Sequence, residues 1–342
     1  MIGFDCGTYN LVSCRRGKAG EFLYKKEVNA FIQIDITDRF VFNMMKNNKD
    51  ENGKPVVPLI EIPDQNIAYA LGEAAVKMAY TMKDVELKRP MKDGCLNPSE
   101  KLAQYIMGQM MHGMLGDLTK DQEPLFYSVP ANAVNESTDA DYHGKVLEAV
   151  FKSFQDDKGQ IAKPHPINEA LALVYAELSN KNFTGIGISF GAGMVNLCFA
   201  IYGAPVFQFS IVNSGDWIDK MAAKATGETI PFINKEKTKI SFTKDPENLV
   251  QRAIRMQYEI MIQKTVTEIK KGLEQAGNKA RTDNPIDVVV AGGTASPEGF
   301  EKLFGDILTS SGVPIKIGDV IKPKEPLYSV AIGCLLAAEA SV

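Results

Sequence analysis

Two short glycine-bearing turns are the parts of this 342-residue chain best suited to chemistry. One is Asp5-Cys6-Gly7-Thr8-Tyr9-Asn10 and the other is Gly191-Ala192-Gly193, and each lies between two strand-like runs. A turn of this kind directs several backbone N–H groups the same way, and the resulting concavity binds anions, above all phosphates. Two such turns facing each other across a cleft would hold a polyphosphate from both sides. Asp5 stands just before the glycine of the first turn, where a carboxylate could hold a hydrated Mg²⁺ ion through its waters.

A third glycine-bearing segment follows an apolar strand late in the chain. Gly292-Gly293-Thr294 comes directly after Ile286-Asp287-Val288-Val289-Val290-Ala291, and the carboxyl edge of such a strand is where α/β folds bind ligands. Glycines there would let a flat base or a sugar approach the backbone. Each turn alone is a weak signal. The chain has no GxxxxGK run followed by Ser or Thr, which excludes a P-loop, and Gly191-Ala192-Gly193 lacks the full GxGxxG pattern of a dinucleotide site.

The strand–turn–strand pattern around the first turn occurs a second time around Gly191-Ala192-Gly193. Each turn is followed by a further hairpin signal, Arg15-Arg16-Gly17-Lys18 in the first case and Tyr202-Gly203-Ala204-Pro205 in the second. Two similar units half a chain apart predict two lobes with related cores, although two unrelated β-hairpins would give the same pattern. Elsewhere strands alternate with helices, which predicts an α/β protein.

Hydrophobic periodicity predicts the other elements. Ser99 is the expected N-cap of a helix that carries apolar residues up to Met114. Residues 44–63 are the least regular stretch, and the run at their centre, residues 46–54, is polar and aperiodic, which is typical of a mobile surface loop. Further helices are expected over residues 139–154, 167–178, 250–277, 300–308 and 330–338.

Composition narrows the class of protein. The chain is 45% hydrophobic and 23% charged with a formal net charge of -4, which is ordinary for a soluble globular protein. The mild acidity argues against nucleic acid as a direct ligand. The five cysteines form no CxxC pair and the three histidines are not spaced as metal ligands, so we expect buried free thiols. The start of the chain lacks a signal-peptide pattern and no run is long enough to span a bilayer, so we expect a cytoplasmic protein without membrane attachment.

Short strings along nearly the whole chain resemble the actin–Hsp70–sugar kinase superfamily. Arg89-Pro90-Met91-Lys92-Asp93-Gly94 is very similar to the RPLKDG run of bacterial MreB proteins and is the most family-specific of them. The first turn resembles the phosphate loop DLGTxN, and residues 189–196 stand where the second loop, DxGGGTxE/D, should lie. The other matching strings are Val129-Pro130-Ala131, Ile167-Asn168-Glu169-Ala170-Leu171-Ala172, Ser214-Gly215-Asp216-Trp217-Ile218-Asp219, Glu236-Lys237-Thr238-Lys239-Ile240, Val290-Ala291-Gly292-Gly293-Thr294 and Ser329-Val330-Ala331-Ile332-Gly333. The pattern is most similar to the MreB-like actins.

This resemblance implies an α/β, two-lobed actin-like fold with an RNase H-like core in each lobe and a nucleotide cleft between them. ATP or ADP would bind there with Mg²⁺, and Asp5 would hold the water shell of the metal. Glu169 would orient the attacking water, so Asp5 and Glu169 are the expected catalytic residues. The expected nucleotide-binding residues are Gly7, Thr8, Tyr9, Asn10, Gly191, Ala192, Gly193, Gly215, Glu236, Lys239, Gly292, Gly293 and Thr294.

The resemblance also divides the chain into four parts. The core of lobe I would comprise residues 1–30, 90–160 and 320–342, and its small subdomain residues 31–89. The core of lobe II would comprise residues 161–217 and 284–319, and its small subdomain residues 218–283.

The second phosphate loop departs from the family pattern at three positions. Ser189 replaces the opening aspartate, Met194 replaces the threonine after the glycines, and Asn196 replaces the closing acid. Backbone N–H groups need no side chain, so nucleotide binding can survive these changes. We therefore expect ATP to bind well and to be cleaved slowly through Asp5 and Glu169.

Three functions are compatible with the resemblance. The leading interpretation is a filament whose subunits are copies of this chain and whose assembly depends on the nucleotide. The alternative is a non-polymerising nucleotide switch with weak ATPase activity that binds a partner or adaptor protein. A small-molecule kinase is a third interpretation, which would require an acceptor substrate and a general base.

Overall fold

The computed structural model describes residues 1–62, 66–81, 85–116, 123–154, 163–282 and 284–342. The predicted division between residues 160 and 161 lies outside these ranges, as does Pro63 at the end of the predicted loop. All five cysteines are buried and free, as predicted. None of the helices in the described ranges combines the length and the apolar character needed to cross a membrane.

Strands and helices alternate along the described chain, and the predicted α/β class is confirmed. The strands are β1 (Ile2–Cys6), β2 (Asn10–Arg16), β3 (Phe22–Val28), β4 (Phe31–Asp35), β5 (Leu59–Ile62), β6 (Ile67–Leu71), β7 (Met91–Lys92), β8 (Cys95–Leu96), β9 (Leu125–Val129), β10 (Pro164–Asn168), β11 (Gly185–Phe190), β12 (Val195–Ile201), β13 (Ala204–Ile211), β14 (Ile286–Ala291) and β15 (Ile317–Ile321). The helices are α1 (Arg39–Asn47), α2 (Gly72–Thr81), α3 (Ala103–Leu115), α4 (Ala140–Lys152), α5 (Glu169–Glu177), α6 (Gly215–Thr226), α7 (Ile230–Lys237), α8 (Leu249–Ala276), α9 (Phe300–Ser310) and α10 (Ser329–Ala340).

The first five-stranded sheet has the order β10-β9-β1-β2-β3. Strand β1 pairs antiparallel with β2 and parallel with β9, and β9 pairs parallel with β10. The predicted division assigned residues from 161 onward to the second lobe, yet β10 completes the sheet of the first.

The second five-stranded sheet repeats the first. Its order is β13-β12-β11-β14-β15, with β11 antiparallel to β12 and parallel to β14. The hairpins β1–β2–β3 and β11–β12–β13 therefore occupy equivalent places in two sheets of one topology, which rules out two unrelated β-hairpins. Both β11 and β14 are buried along their whole length, as a parallel strand covered on both faces requires. The predicted boundary between residues 319 and 320 falls within β15.

Two smaller sheets, β4-β6-β5 and β7-β8, belong to the first half of the chain. The prediction of a loop over residues 44–63 is wrong at both ends, because α1 extends to Asn47 and β5 begins at Leu59. Phe42 anchors α1, since its side chain packs on Ile36 and Ala68 in a small apolar cluster. The central part of the predicted loop, residues 48–58, holds no named helix or strand.

Two helix starts differ from their predictions. Leu102 occupies the N-cap position of α3, so the prediction of Ser99 as its cap is wrong; the N–H of Ser99 instead bonds to Asn97 Oδ1 at 3.1 Å. The predicted helix over residues 167–178 begins at Glu169, because the preceding residues pair as β10. Asn168 caps α5 by accepting from the backbone N–H groups of the next turn.

Helices α5 and α10 pack against each other between the two large sheets. Strand β1 packs on α10, and strands β11 and β12 pack on α5. The helices approach so closely that a Cβ at Gly333 would lie 1.8 Å from the carbonyl oxygen of Ala172. Helix α5 also connects β10 of the first sheet to β11 of the second. The contact between α5 and α10 therefore positions Glu169, the first residue of α5, where the two sheets meet.

Candidate nucleotide-binding cleft

The central strands of both large sheets end at one cleft. The turns after β1 and β11, the residues after β14 and the start of α5 all line it, as expected for the carboxyl ends of strands in α/β folds. The cavity has a volume of about 310 Å³, at the lower end of the range for ligand pockets. The predicted site residues that line it are Asp5, Gly7, Thr8, Tyr9, Asn10, Glu169, Gly191, Ala192, Gly193, Gly292, Gly293 and Thr294.

The turn after β1 is held from behind by the buried side chain of Asn29. Its Nδ2 donates to the carbonyl oxygen of Gly7 at 3.1 Å, and its backbone N–H donates to the carbonyl oxygen of Tyr9 at 2.8 Å. The carbonyl and the N–H of one trans peptide point in opposite directions, so the N–H of Thr8 points away from Asn29. Gly7 has no room for a side chain, since a Cβ would lie 2.6 Å from the carbonyl oxygen of Asn10.

The turn after β11 is held in the same manner by the start of α6. The carbonyl oxygen of Gly191 accepts from Ser214 Oγ at 2.6 Å and from Thr294 Oγ1 at 2.7 Å, and that of Ala192 accepts from the N–H of Asp216 at 2.8 Å. Both carbonyls therefore face α6, and the N–H groups of Ala192 and Gly193 face the opposite way. This is the arrangement in which a turn presents donors to an anion.

The two turns contact each other across the cleft. A Cβ on Gly193 would lie 2.6 Å from Thr8 Oγ1 and 2.4 Å from the backbone nitrogen of Gly94. Gly215 does not line the cleft but supports the second turn, because its N–H donates to the carbonyl oxygen of Gly191 at 3.2 Å.

Two partly buried carboxyl groups, Asp5 and Glu169, lie at the bottom of the cleft. Ser128 Oγ donates to Asp5 Oδ1 at 2.8 Å and accepts from the N–H of Cys6 at 2.9 Å, while burial raises the pKa of Asp5 to about 6. Burial, and then the charge of Asp5, raise the pKa of Glu169 to about 8. Since each group disfavours ionisation of the other, a cation at this place would stabilise both as carboxylates.

The carboxyl pair fits a magnesium ion better than a metal that needs a full set of protein ligands. Within the described ranges, no group of three or more His, Cys, Asp and Glu side chains is arranged to hold a metal. Mg²⁺ is commonly bound by one or two carboxylates, substrate phosphates and several waters. Asp5 lines the cleft and can supply such a carboxylate.

The three departures in the second phosphate loop have different surroundings. Asn196 Nδ2 donates to Glu169 Oε2 at 2.7 Å, and Ser189 also hydrogen-bonds to Glu169. Met194 is 2% exposed and packs on residues from both lobes, namely Cys95, Ala140 and Val212. Its thioether is thus a packing group in the wall of the cleft.

The nucleoside end of the cleft differs in detail from the prediction. Lys239 Nζ forms an ion pair with Glu236 Oε1 at 2.5 Å, and neither residue lines the cavity. Helix α7 instead presents Asn234 and Lys237, which lie three residues apart on one face. Lys237 Nζ bonds to Asp219 Oδ1 at 2.7 Å and to the carbonyl oxygen of Gly215 at 3.0 Å. Gly292, at φ 92°, permits the close approach of this segment to Phe190.

An ion pair joins Arg89, which precedes β7, to Asp216, which lines the cleft. Arg89 Nη1 and Nη2 donate to Asp216 Oδ1 and Oδ2 at 3.1 and 2.9 Å, in the bidentate geometry typical of arginine–carboxylate pairs. The guanidinium also lies 6.0 Å from the ring centre of Tyr9. We call Arg89 and Asp216 the cleft pair.

Sequence reasoning missed several of these residues. It quoted Arg89 and Asp216 within family strings without assigning them a role, and it did not single out Ser128. The available signal for Ser128 was a lone polar residue near the carboxyl end of the apolar strand β9.

No curated protein matches the sequence significantly. The structure is similar to a MamK double helical filament at a TM-score of 0.71 and 14% identity, covering 99% of this chain and 98% of that one. It is similar to MreB 5 of Spiroplasma citri at a TM-score of 0.67 and 15% identity, covering 99% and 96%. It is also similar to the ethanolamine utilization protein EutJ of Carboxydothermus hydrogenoformans at a TM-score of 0.52 and 17% identity, covering 98% and 88%.

Identities this low show a shared fold, and the predicted two-lobed, MreB-like actin fold is confirmed. The sequence model of the Volactin family matches residues 1–338, which is nearly the whole sequence. The chain therefore belongs to the Volactin family.

Proposed function

We propose that this chain binds ATP or ADP with Mg²⁺ in the cleft between its lobes and hydrolyses ATP slowly. The observation that carries the proposal is the pair of facing turns, each held from behind at its carbonyl oxygens. Structures with the same fold support it, since MreB 5 of Spiroplasma citri was solved bound to AMPPNP and to ADP. A non-polymerising MamK mutant was also solved bound to AMPPNP.

In this proposal each part of the cleft has one role. The N–H groups of Thr8, Ala192 and Gly193 donate to the phosphates, and the segment Gly292 to Thr294 lies against the nucleoside. Asp5 holds the hydrated metal, and Mg²⁺, when bound, neutralises charge on the phosphates. Glu169 accepts a hydrogen bond from the attacking water. Gly215, Glu236 and Lys239, which do not line the cavity, act indirectly through the second turn and α7.

Slow hydrolysis follows from two side chains in the second phosphate loop. Ser189 supplies no negative charge to the metal shell, and the buried thioether of Met194 supplies no hydrogen bond to a water. Positioning and charge neutralisation account for most of the catalysis of phosphoryl transfer, so losing either contact lowers turnover.

We further propose that the nucleotide-bound chain assembles with copies of itself into a cytoskeletal filament in the cytoplasm. MamK, which covers 99% of this chain, was solved as a double helical filament. Head-to-tail contacts between identical subunits yield open filaments when the rotation does not close a ring. The alternative is a non-polymerising nucleotide switch that binds an adaptor, and the packing of Met194 in place of a catalytic threonine favours it.

Sedimentation with electron microscopy separates these two functions. The purified chain is examined without nucleotide, with ADP and with ATP·Mg²⁺, and bound nucleotide is measured in the same samples. We expect ATP-dependent pelleting into filaments. A chain that binds ATP but stays in the supernatant in every condition would support the switch, and a chain that binds no nucleotide would refute both. Gly193→Ala, which disturbs the contact between the turns, is the matched negative control.

A further inference from the structure

Asn196 belongs to a row of buried polar residues beneath the carboxyl pair. Ser189, Asn196 and Ser210 are direct cross-strand neighbours on β11, β12 and β13. Such neighbours share one face of a sheet. Their exposed fractions are 2%, 2% and 0%, so each polar atom in the row must find a partner within the protein.

The hydrogen bonds of Asn196 define the direction of its amide. Its Nδ2 donates to Glu169 Oε2 at 2.7 Å, and its Oδ1 accepts from Ser210 Oγ. When a bound cation holds Glu169 as a carboxylate, Glu169 only accepts hydrogen bonds, so the amide must turn its NH₂ group toward it. The hydroxyl of Ser210 can then donate to the other end, which holds the amide in this orientation.

We infer that Asn196 is a positioning residue for Glu169. Its amide holds one carboxylate oxygen of Glu169 in place, so that the carboxylate keeps one orientation toward the cleft.

An acid at position 196 would instead place two carboxylates in contact, and one of them would have to hold a proton. The inference rests on the proposed ATPase function and assigns a role to one of the three departures from the family pattern.

The reaction served by this contact balances without a further reactant. The water oxygen bonds to the γ-phosphorus, and the bond from that phosphorus to the β–γ bridging oxygen breaks. ADP leaves with the electron pair, the released phosphate keeps one water proton as HPO₄²⁻, and the other proton is released to solvent. Glu169 acts only by orienting the water, so an error in its position should lower kcat and leave nucleotide affinity nearly unchanged.

The test compares Asn196→Asp and Asn196→Ala with the wild-type chain. Both variants should lower kcat for ATP hydrolysis by about 10-fold or more, while the Kd for ATP changes by less than about threefold. The matched control is Asn213→Asp, which places a new carboxylate at another buried asparagine in the same lobe. Asn213 Oδ1 accepts from Asn135 Nδ2 at 2.8 Å, and an aspartate keeps that acceptor, so the control should retain wild-type kcat.

A double variant separates positioning from simple structural support. Glu169→Gln combined with Asn196→Asp reverses the donor and the acceptor, so the hydrogen bond and the Tm should recover while kcat stays low. Should the Asn196 variants fail to fold, Ser210→Ala keeps the donor of Asn196 and releases its other end, and kcat should still fall severalfold.

Wild-type turnover in the same experiment tests the proposed function itself. A wild-type chain that binds ATP without cleaving it would overturn the ATPase proposal and this inference together. Turnover by wild type with kcat within about twofold in the Asn196 variants, or in Ser210→Ala if they do not fold, would overturn the inference alone.

Discussion

At the scale of single residues, the cleft brings together two carboxyl groups, Asp5 and Glu169, whose protonation depends on their surroundings. Burial raises the pKa values of Asp5 and Glu169, so the folded chain without ligand binds protons at these groups more tightly than the unfolded chain does. Raised pKa values of this kind are common at sites that bind cations or handle protons. They also have a consequence for stability that can be measured without any enzymatic assay.

The nucleotide-free chain should lose stability as the pH rises from about 6.5 to about 8. The folded-state pKa of Glu169 lies above its ordinary value of 4.5, so the folded chain binds more protons than the unfolded chain in this window, and stability falls with rising pH. We expect a loss on the order of 1–2 kcal/mol in urea unfolding. The substitution Glu169→Gln should remove most of this dependence of the free energy of unfolding on pH.

The lower limit of this pH range is set by the buried side chain of His143. Burial lowers the pKa of His143 to about 4, so this histidine gives a slope of the opposite sign below its ordinary value of 6.5. The exposed variant Glu259→Gln is the matched control and should keep the wild-type slope. Equal slopes in wild type and Glu169→Gln would contradict the assignment.

At the scale of elements, the turn after β11 depends on a glycine that faces the other lobe. A methyl group at position 193 would collide with the backbone of Gly94 and with Thr8. Gly193→Ala should therefore weaken ATP binding by about 10-fold or more, measured by titration with a fluorescent nucleotide. Gly113→Ala, in α3 with open space around it, is the matched control and should leave the Kd unchanged. Normal affinity in Gly193→Ala would show that the turns need not approach each other.

The cleft pair joins the segment before β7 to the start of α6. Both side chains are about 30% exposed, and an ion pair at that exposure contributes less than about 1 kcal/mol. Arg89→Ala should therefore speed nucleotide release by about two- to fivefold in a stopped-flow displacement experiment. The exposed Arg252→Ala is the matched control. Release at the wild-type rate from Arg89→Ala would mean that the pair does not retain the nucleotide.

At the scale of the whole molecule, two equivalent sheets are joined through the contact between α5 and α10. Gly333→Ala would push these helices apart, because the new methyl group would meet the Ala172 carbonyl. We expect a stability loss of about 2 kcal/mol or more, seen as a lower Tm in a thermal unfolding experiment. The Gly113→Ala substitution again serves as the control, since alanine is the better helix former. An unchanged Tm in Gly333→Ala would show that α5 and α10 can separate freely.

The local features of this protein can be read from its sequence alone. Hydrophobic periodicity located most helices and strands, and the glycine turns after β1 and β11 were visible because glycine, turn residues and flanking apolar runs are local signals. The order of the family strings predicted the actin-like fold. Local signals failed at Ser99 and at residues 44–63, where packing around Phe42 and loop hydrogen bonds outweighed propensity.

Which side chains meet depends on how the elements pack in three dimensions. Asn196 is 27 residues from Glu169, and Arg89 is 127 residues from Asp216, and no pattern along the chain reports such pairings. Lys237 is the last residue of α7 and Lys239 lies beyond its end, so the packing of α7 on α6 and α8 places Lys237 at the cleft. The physical reason is that hydrogen bonds and ion pairs act over a few ångströms in space, and packing of whole elements sets those distances.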